Sequence, residues 1–318
     1  MEYKELGTTG LVVSSLCLGT MSFGDPADEA TSRELFSRAR DAGINIFDCA
    51  DVYNAGEAER ILGRCIRENR DELIITSKVC NQTGPDRNDQ GLSRRHIVRS
   101  VEASLRRLGT DRIDLYYAHL EHRSVRIESV LRAFDDLVRD GKILYPAISN
   151  WPAWRIEKAL GVARDQGYAR PECLQPMYSL VKRQAEVEIL PMAQEEQLGV
   201  FSYSPLGGGL LTGKYEKDSG TSSGRLTEND KYRMRYSNPE YHSAASRLVA
   251  HARERGYHPA SLAVAWVMHH PAVTAPIIGA RNVEQLEPSL AAADVPMTAA
   301  WREEISAFSP APPEATDR

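Results

Sequence analysis

The chain has 318 residues, 42% hydrophobic and 26% charged, with a formal net charge of -5. That is enough core to fold without a disulfide or metal staple, and the acidic balance argues against nucleic acid or an anionic membrane as partner. Five scattered cysteines (Cys17, Cys49, Cys65, Cys80, Cys173) with no CxxC pair read as reduced thiols of a cytoplasmic protein, and no N-terminal apolar run is long enough for a signal peptide or membrane span.

Residues 3–6 and 11–13 flank a Gly7-Thr8-Thr9-Gly10 turn and read as a β-hairpin, placed to plug the bottom of the fold. Short apolar runs then recur at 16–18, 44–47, 73–76, 113–117, 143–148, 173–174, 200–203 and 273–278. Segments of helical period separate them. Ile97, Val101, Leu105 and Leu108 form one stripe, and Ile127, Val130, Leu131, Phe134, Leu137 and Val138 form another. Eight buried strands alternating with amphipathic helices predict a (β/α)8 TIM barrel over residues 1–318 as one domain. A doubly wound open sheet is the competing architecture. The stretch 214–241 lacks clear periodicity and is long enough to be a functional loop. Helices are expected at 243–255 and 259–269, with a last one at 298–307 against the outside.

In a parallel barrel the chemistry sits where strands end and βα loops begin. The second strand, one residue past its apolar run, ends at Asp48, with Tyr53 five residues on; the third and fourth, two past theirs, end at Lys78 and His119. The two-residue period puts Asp48 on the face of Ile46, Lys78 with Thr76 and Ile74, and His119 with Tyr117 and Leu115. Cys49, next to Asp48, points the other way. Any one of these ionisable groups could be a helix cap or a rim residue. Four converging on one barrel mouth from successive strand ends is the stronger observation.

Together they suit reduction of a carbonyl, which needs a hydride on carbon and a proton on oxygen. A phenol with an ordinary pKa of about 10 is a sluggish acid, and a nearby ammonium from Lys78 is expected to lower that value. Asp48 would keep Lys78 charged and placed. His119 could donate a hydrogen bond to the substrate oxygen. No side chain supplies a hydride, so a cofactor is required.

At these residues the chain resembles the aldo-keto reductase superfamily. The matching stretches are LGTMSFG (18–24), NIFDCADVYNAGEAERILG (45–63), IITSK (74–78), DLYYAH (114–119), ISN (148–150), LQPMYS (174–179), FSYSPLGGGLLTGKY (201–215) and IIGARNVEQL (277–286). The resemblance implies Tyr53 as proton donor with Asp48, Lys78 and His119 completing a tetrad. It implies that Ser149, Asn150 and Gln175 hold a nicotinamide carboxamide, that Tyr203 stacks on the ring, and that Gly19, Thr20 and Met21 line that end.

No GxGxxG fingerprint occurs; Gly207-Gly208-Gly209 with Gly213 is the nearest approach. Its backbone could be a simple flexible loop, and the resemblance favours a pyrophosphate cradle of Ser204, Leu206, Gly209 and Lys214. After the eighth strand, Gly279 and Arg281 lead into a helix carrying Gln285, and a guanidinium at that helix start favours the phosphate of NADPH over NADH. Arg225 is a further candidate clamp. Where relatives have Glu-Asn to hold the adenine, this chain has Pro288 and Ser289. The substrate, a small carbonyl compound, is expected against Phe23, Trp151 and the loops 80–92, 120–126 and 214–241. His119 and His122 do not present their rings to one side of a helix, so no metal is expected. Two other functions remain on the table: a non-catalytic NADPH-binding regulator like the potassium-channel β subunits, and a barrel hydrolase. The tetrad favours an enzyme over the first. Only one strand-end carboxylate, against the facing pair such hydrolysis needs, disfavours the second.

Overall fold

The structure is a computed structural model that describes residues 1–215 and 224–316. β1 (Tyr3–Glu5) and β2 (Val12–Ser14) pair antiparallel as the expected hairpin. β3 (Cys17–Gly19) leads to α1 (Glu29–Asp41), β4 (Ile46–Asp48) to α2 (Glu57–Ile66), and β5 (Ile74–Val79) to α3 (Arg94–Leu108). β6 (Ile113–Ala118) precedes α4 (Ile127–Arg139), β7 (Ile143–Ser149) precedes α5 (Ala153–Gln166), and β8 (Cys173–Gln175) precedes α6 (Ile189–Glu195). After β9 (Gly199–Ser202) come α7 (Arg225–Glu228), α8 (Asp230–Arg235), α9 (Pro239–Glu254) and α10 (Pro259–Met268). β10 (Ala275–Ile278), α11 (Val283–Leu290) and α12 (Ala299–Ser306) complete the chain. Strands β3 to β10 pair in parallel in chain order, and β10 returns to β3, closing the barrel. The open-sheet alternative is thereby excluded.

The helices form because their apolar stripes need this barrel. In α3 the side chain of Ser93 accepts the amide of His96 and Gly109 ends the helix in a left-handed turn, while Ile97, Val101, Leu105 and Leu108 are all buried. Those residues join one apolar layer between strands and helices, to which Cys49 also belongs. A second, smaller cluster fills the barrel interior: Ile46, Ile74, Leu115, Tyr117, Ala147, Cys173 and Phe201, closed below by Leu6 and Val13 of the hairpin. Leu6 packs so tightly on Gly199 that a Cβ there would lie 2.1 Å from its Cδ1. The plug is real, and glycine makes room for it.

Residues 214–241 depart from expectation. Positions 216–223 lie outside the described residues, but α7, α8 and the first turn of α9 occupy most of the remainder. Each of the first two is only one or two turns long, too short to show a stripe. Asn229 separates them, its side chain capping the amides of Lys231 and Tyr232.

Candidate active site

Parallel register lifts the four ionisable residues to the same end of the barrel. Asp48 pairs with Thr76, and Lys78 pairs with Tyr117, so the polar layer sits directly above the apolar interior. Lys78 is fully buried; its Nζ lies 2.6 Å from Asp48 Oδ2, 2.7 Å from the Cys49 carbonyl and 3.3 Å from the Tyr53 hydroxyl. Asp48 is fixed in turn by Thr76 Oγ1 and Gln175 Nε2, each donating to Oδ1 over 2.8 Å. Tyr53 reaches this point through a turn in which Asn54 and Ala55 both have positive φ. The Asn54 side-chain amide ties that turn to the β3 loop, within reach of the Met21, Phe23 and Asp25 carbonyls. His119 sits edge-on to the Tyr53 ring, centroids 6.2 Å apart.

Environment sets the protonation states. Burial works against the Lys78 ammonium, yet the charge of Asp48, then that of Tyr53, carries its pKa above the ordinary lysine value. For Tyr53 the expectation of a lowered pKa is corrected. Burial is the larger influence and pushes the phenol up to about 12, with Lys78 pulling the other way. Burial, then Lys78, then Lys231 depress His119 to about 3, so its imidazole is neutral. Asn81 Nδ2 lies 3.0 Å from His119 Nδ1. An amide donating there leaves the ring hydrogen on Nε2, free to act as a donor.

Three residues past Asp48 is a buried group that the mouth does not use. Asp51 is 2% exposed, and neither carboxyl oxygen has a hydrogen-bond partner among the described residues. Its neighbour Glu59, also buried, accepts from Ser77 Oγ at 2.5 Å and Arg107 Nε at 2.6 Å. Burial, reinforced by the charge of Glu59, pushes the Asp51 carboxyl up to about 8.

Asp48, Tyr53 and His119 open into a cavity of about 830 Å³ that runs past the ends of β7 to β10. Lys78 is buried behind them and does not line the cavity. Of the other residues expected around a cofactor, Gly19, Met21, Ser149, Asn150, Gln175, Tyr203 and Ser204 line the near part. Leu206, Gly209, Lys214, Gly279, Arg281 and Gln285 line the far part. Thr20 does not. It is buried behind the wall, its amide and hydroxyl both donating to the Asp48 carbonyl. Ser149, Asn150 and Tyr203 form a chain: Tyr203 OH donates to Asn150 Oδ1 at 2.7 Å, and Asn150 Nδ2 donates to Ser149 Oγ and to the His119 carbonyl. Asn150 and Ser204 hold φ of 59° and 62°, strained conformations just past the ends of β7 and β9.

Phe23 and Trp151 are corrections. Both are buried beneath the mouth, Trp151 with the Arg155 guanidinium 5.2 Å from its ring, and neither lines the cavity. Arg123 pairs with Glu121 and Arg126 precedes α4; neither faces it. Sequence reasoning did not single out Asn81, in the expected loop 80–92, or Lys231, Tyr232 and Arg235, in the stretch 214–241, and it missed Ser22; all five are on its walls. Asn81 could have been found as the third residue past Lys78, on the βα loop where barrel chemistry collects.

The cavity fits a dinucleotide. At Gly207, Gly208 and Gly209, φ values of 58°, 67° and 95° bare the backbone, and a Cβ on Gly209 would lie 2.8 Å from Lys214 Cε. Arg281 stands just before Asn282, the cap of α11, with its guanidinium 2.8 Å from Glu228. Pro288 lies within α11 and lines the wall beside Glu284 and Gln285. Among the described residues no cluster of three or more His, Cys, Asp or Glu could hold a metal.

A closed parallel barrel with convergent ionisable strand ends above a long cavity is an enzyme-type barrel. Residues 15–309 match the Aldo/keto reductase family, and the chain belongs to that family. It is 38% identical to an uncharacterized oxidoreductase, YrpG, of Bacillus subtilis, over 93% of this chain and 92% of that protein. It is 37% identical to a probable voltage-gated potassium channel subunit beta of Arabidopsis thaliana, with the same coverage. It is also 33% identical to norsolorinic acid reductase of Aspergillus flavus, over 90% of this chain and 75% of that protein.

Proposed function

We propose that the protein is an NADPH-dependent oxidoreductase that reduces an aldehyde or ketone to the alcohol, acting as one barrel domain in the cytoplasm. The carrying observation is the buried chain from Asp48 through Lys78 to the Tyr53 hydroxyl, opening beside a neutral His119. NADPH, when bound, supplies the hydride. Gly207 to Gly209 with Lys214 would hold its pyrophosphate, Arg281 its extra phosphate, and Ser149, Asn150 and Gln175 its carboxamide.

Tyr53 gives its proton to the carbonyl oxygen as charge develops there. A phenol of pKa about 12 keeps that proton until it is needed, and it remains a stronger acid than the alcohol being formed. Lys78 is charged before and after, so the phenolate left behind faces an ammonium held in place by Asp48. The His119 donor orients the oxygen toward Tyr53. Gln175 already bonds Asp48, so a carboxamide would share or displace that contact.

Purified protein should consume NADPH with an activated aldehyde such as 4-nitrobenzaldehyde. A second reading follows from the relatives named as potassium channel subunits: a regulator that binds NADPH and turns nothing over. Tight NADPH binding without turnover across a broad carbonyl panel would favour it.

A further inference from the structure

The cavity is positive in an acidic protein. Among the described residues, five cations line it (Lys214, Arg225, Lys231, Arg235 and Arg281) against two carboxylates, Asp48 and Glu284, and Asp48 is already matched by Lys78. The cations fall into two sets. Arg281 lies at the start of α11, and Lys214 lies on Gly209 with its Nζ 2.8 Å from where a Cβ on Gly224, next to Arg225, would sit. These belong to the phosphate end. Lys231 and Arg235 stand one turn apart on α8, with Arg235 sharing the Tyr232 ring with Arg225 and Lys231 set apart from the phosphate end. The charge of Lys231 is felt by His119 and that of Arg235 by Tyr203.

Neither has an acidic partner among the described residues. Asp230 takes Arg233, and Glu228 takes Arg281. Arg235 rests on the Tyr232 ring at 5.3 Å, which fixes its guanidinium without neutralising it. Lys231 is exposed at the rim of the cavity. A neutral carbonyl compound has no use for two wall cations without an acidic partner among the described residues, one of them felt by His119. An anionic one does: its charge would be met at the rim while its carbonyl reaches Tyr53.

Resting on the reductase reading above, we propose that the substrates are carbonyl compounds bearing an anionic group, a carboxylate or phosphate, which Lys231 anchors with Arg235 behind it. Lys231 is a specificity residue here, since the proton and the hydride pass elsewhere.

The test compares 4-formylbenzoate with its methyl ester, which differ in charge at constant carbonyl geometry. The ratio of kcat/KM, acid over ester, should exceed one and fall about tenfold in Lys231→Gln, through the KM of the acid. Lys231→Arg should restore it, and raised salt should erode it in the wild type. NADPH titration separates the other source of negative charge. A Lys231→Gln variant with weakened NADPH binding and an unchanged acid-to-ester ratio would assign the lysine to the cofactor and overturn the proposal. So would a ratio at or below one in the wild type. If the ester is not reduced either, the reductase reading fails instead.

Discussion

Asp51→Asn should flatten the dependence of stability on pH. In the folded chain this carboxyl is buried, unpartnered and near the Glu59 carboxylate, and its pKa is raised to about 8; unfolded, it returns to about 3.9. Between those values the native state holds a proton that the unfolded state has lost. Stability contributed by this residue is therefore complete below about pH 4 and declines as pH rises toward 8. Each unit in that window is worth about 1.4 kcal/mol, so about 3 kcal/mol is lost between pH 5 and pH 7. Asparagine binds no proton, and whatever its own burial costs, that cost is the same at both pH values. The gain of Asp51→Asn over wild type should thus grow by about 3 kcal/mol from pH 5 to pH 7. Urea denaturation at the two pH values reads it as a midpoint difference that widens by about 1 M, taking a slope of about 3 kcal/mol/M. A difference equal at both pH values would mean that Asp51 is ionised in the native protein, and the argument from burial would be wrong.

Two further outcomes follow from the site. Arg281→Ala should weaken NADPH by tenfold or more and NADH far less, in fluorescence titrations, because a guanidinium at a helix start is worth most to the extra phosphate; equal losses for both would remove that assignment. His119 is held neutral by burial, with a pKa near 3, so kcat/KM should show no inflection from it between pH 5 and pH 8. An inflection near pH 6.5 that disappears in His119→Gln would contradict this.

How far the chain could be read in advance depended on the length scale of the signal. Strands β3 to β10 fall on or within a residue or two of the short apolar runs, and helices such as α3 on their stripes. The strand-end rule then brought Asp48, Tyr53, Lys78 and His119 together, since alternation alone decides which side of a strand faces the barrel. What it could not decide was orientation beyond the strand. Thr20 stands one residue past β3, and its hydroxyl turns to the Asp48 carbonyl and away from the cavity. Trp151 and Phe23 were expected at the mouth because of loop position, but their apolar surface is satisfied by packing underneath. The one-turn helix α7 and two-turn α8 are too short for periodicity, so Lys231 and Arg235 went unnoticed. The acidity of Tyr53 was misjudged for a related reason: residue types reveal the ammonium beside the phenol, and only the fold reveals the burial that outweighs it.

The direct test of the central chemistry is Tyr53→Phe, assayed for NADPH affinity and for single-turnover reduction of an activated aldehyde. Removing the hydroxyl takes away the proton and leaves the cavity intact, so NADPH should bind within about twofold of wild type while the reduction rate falls by about 10² to 10⁴. A variant that still reduces the aldehyde at close to the wild-type rate would show that the proton comes from elsewhere.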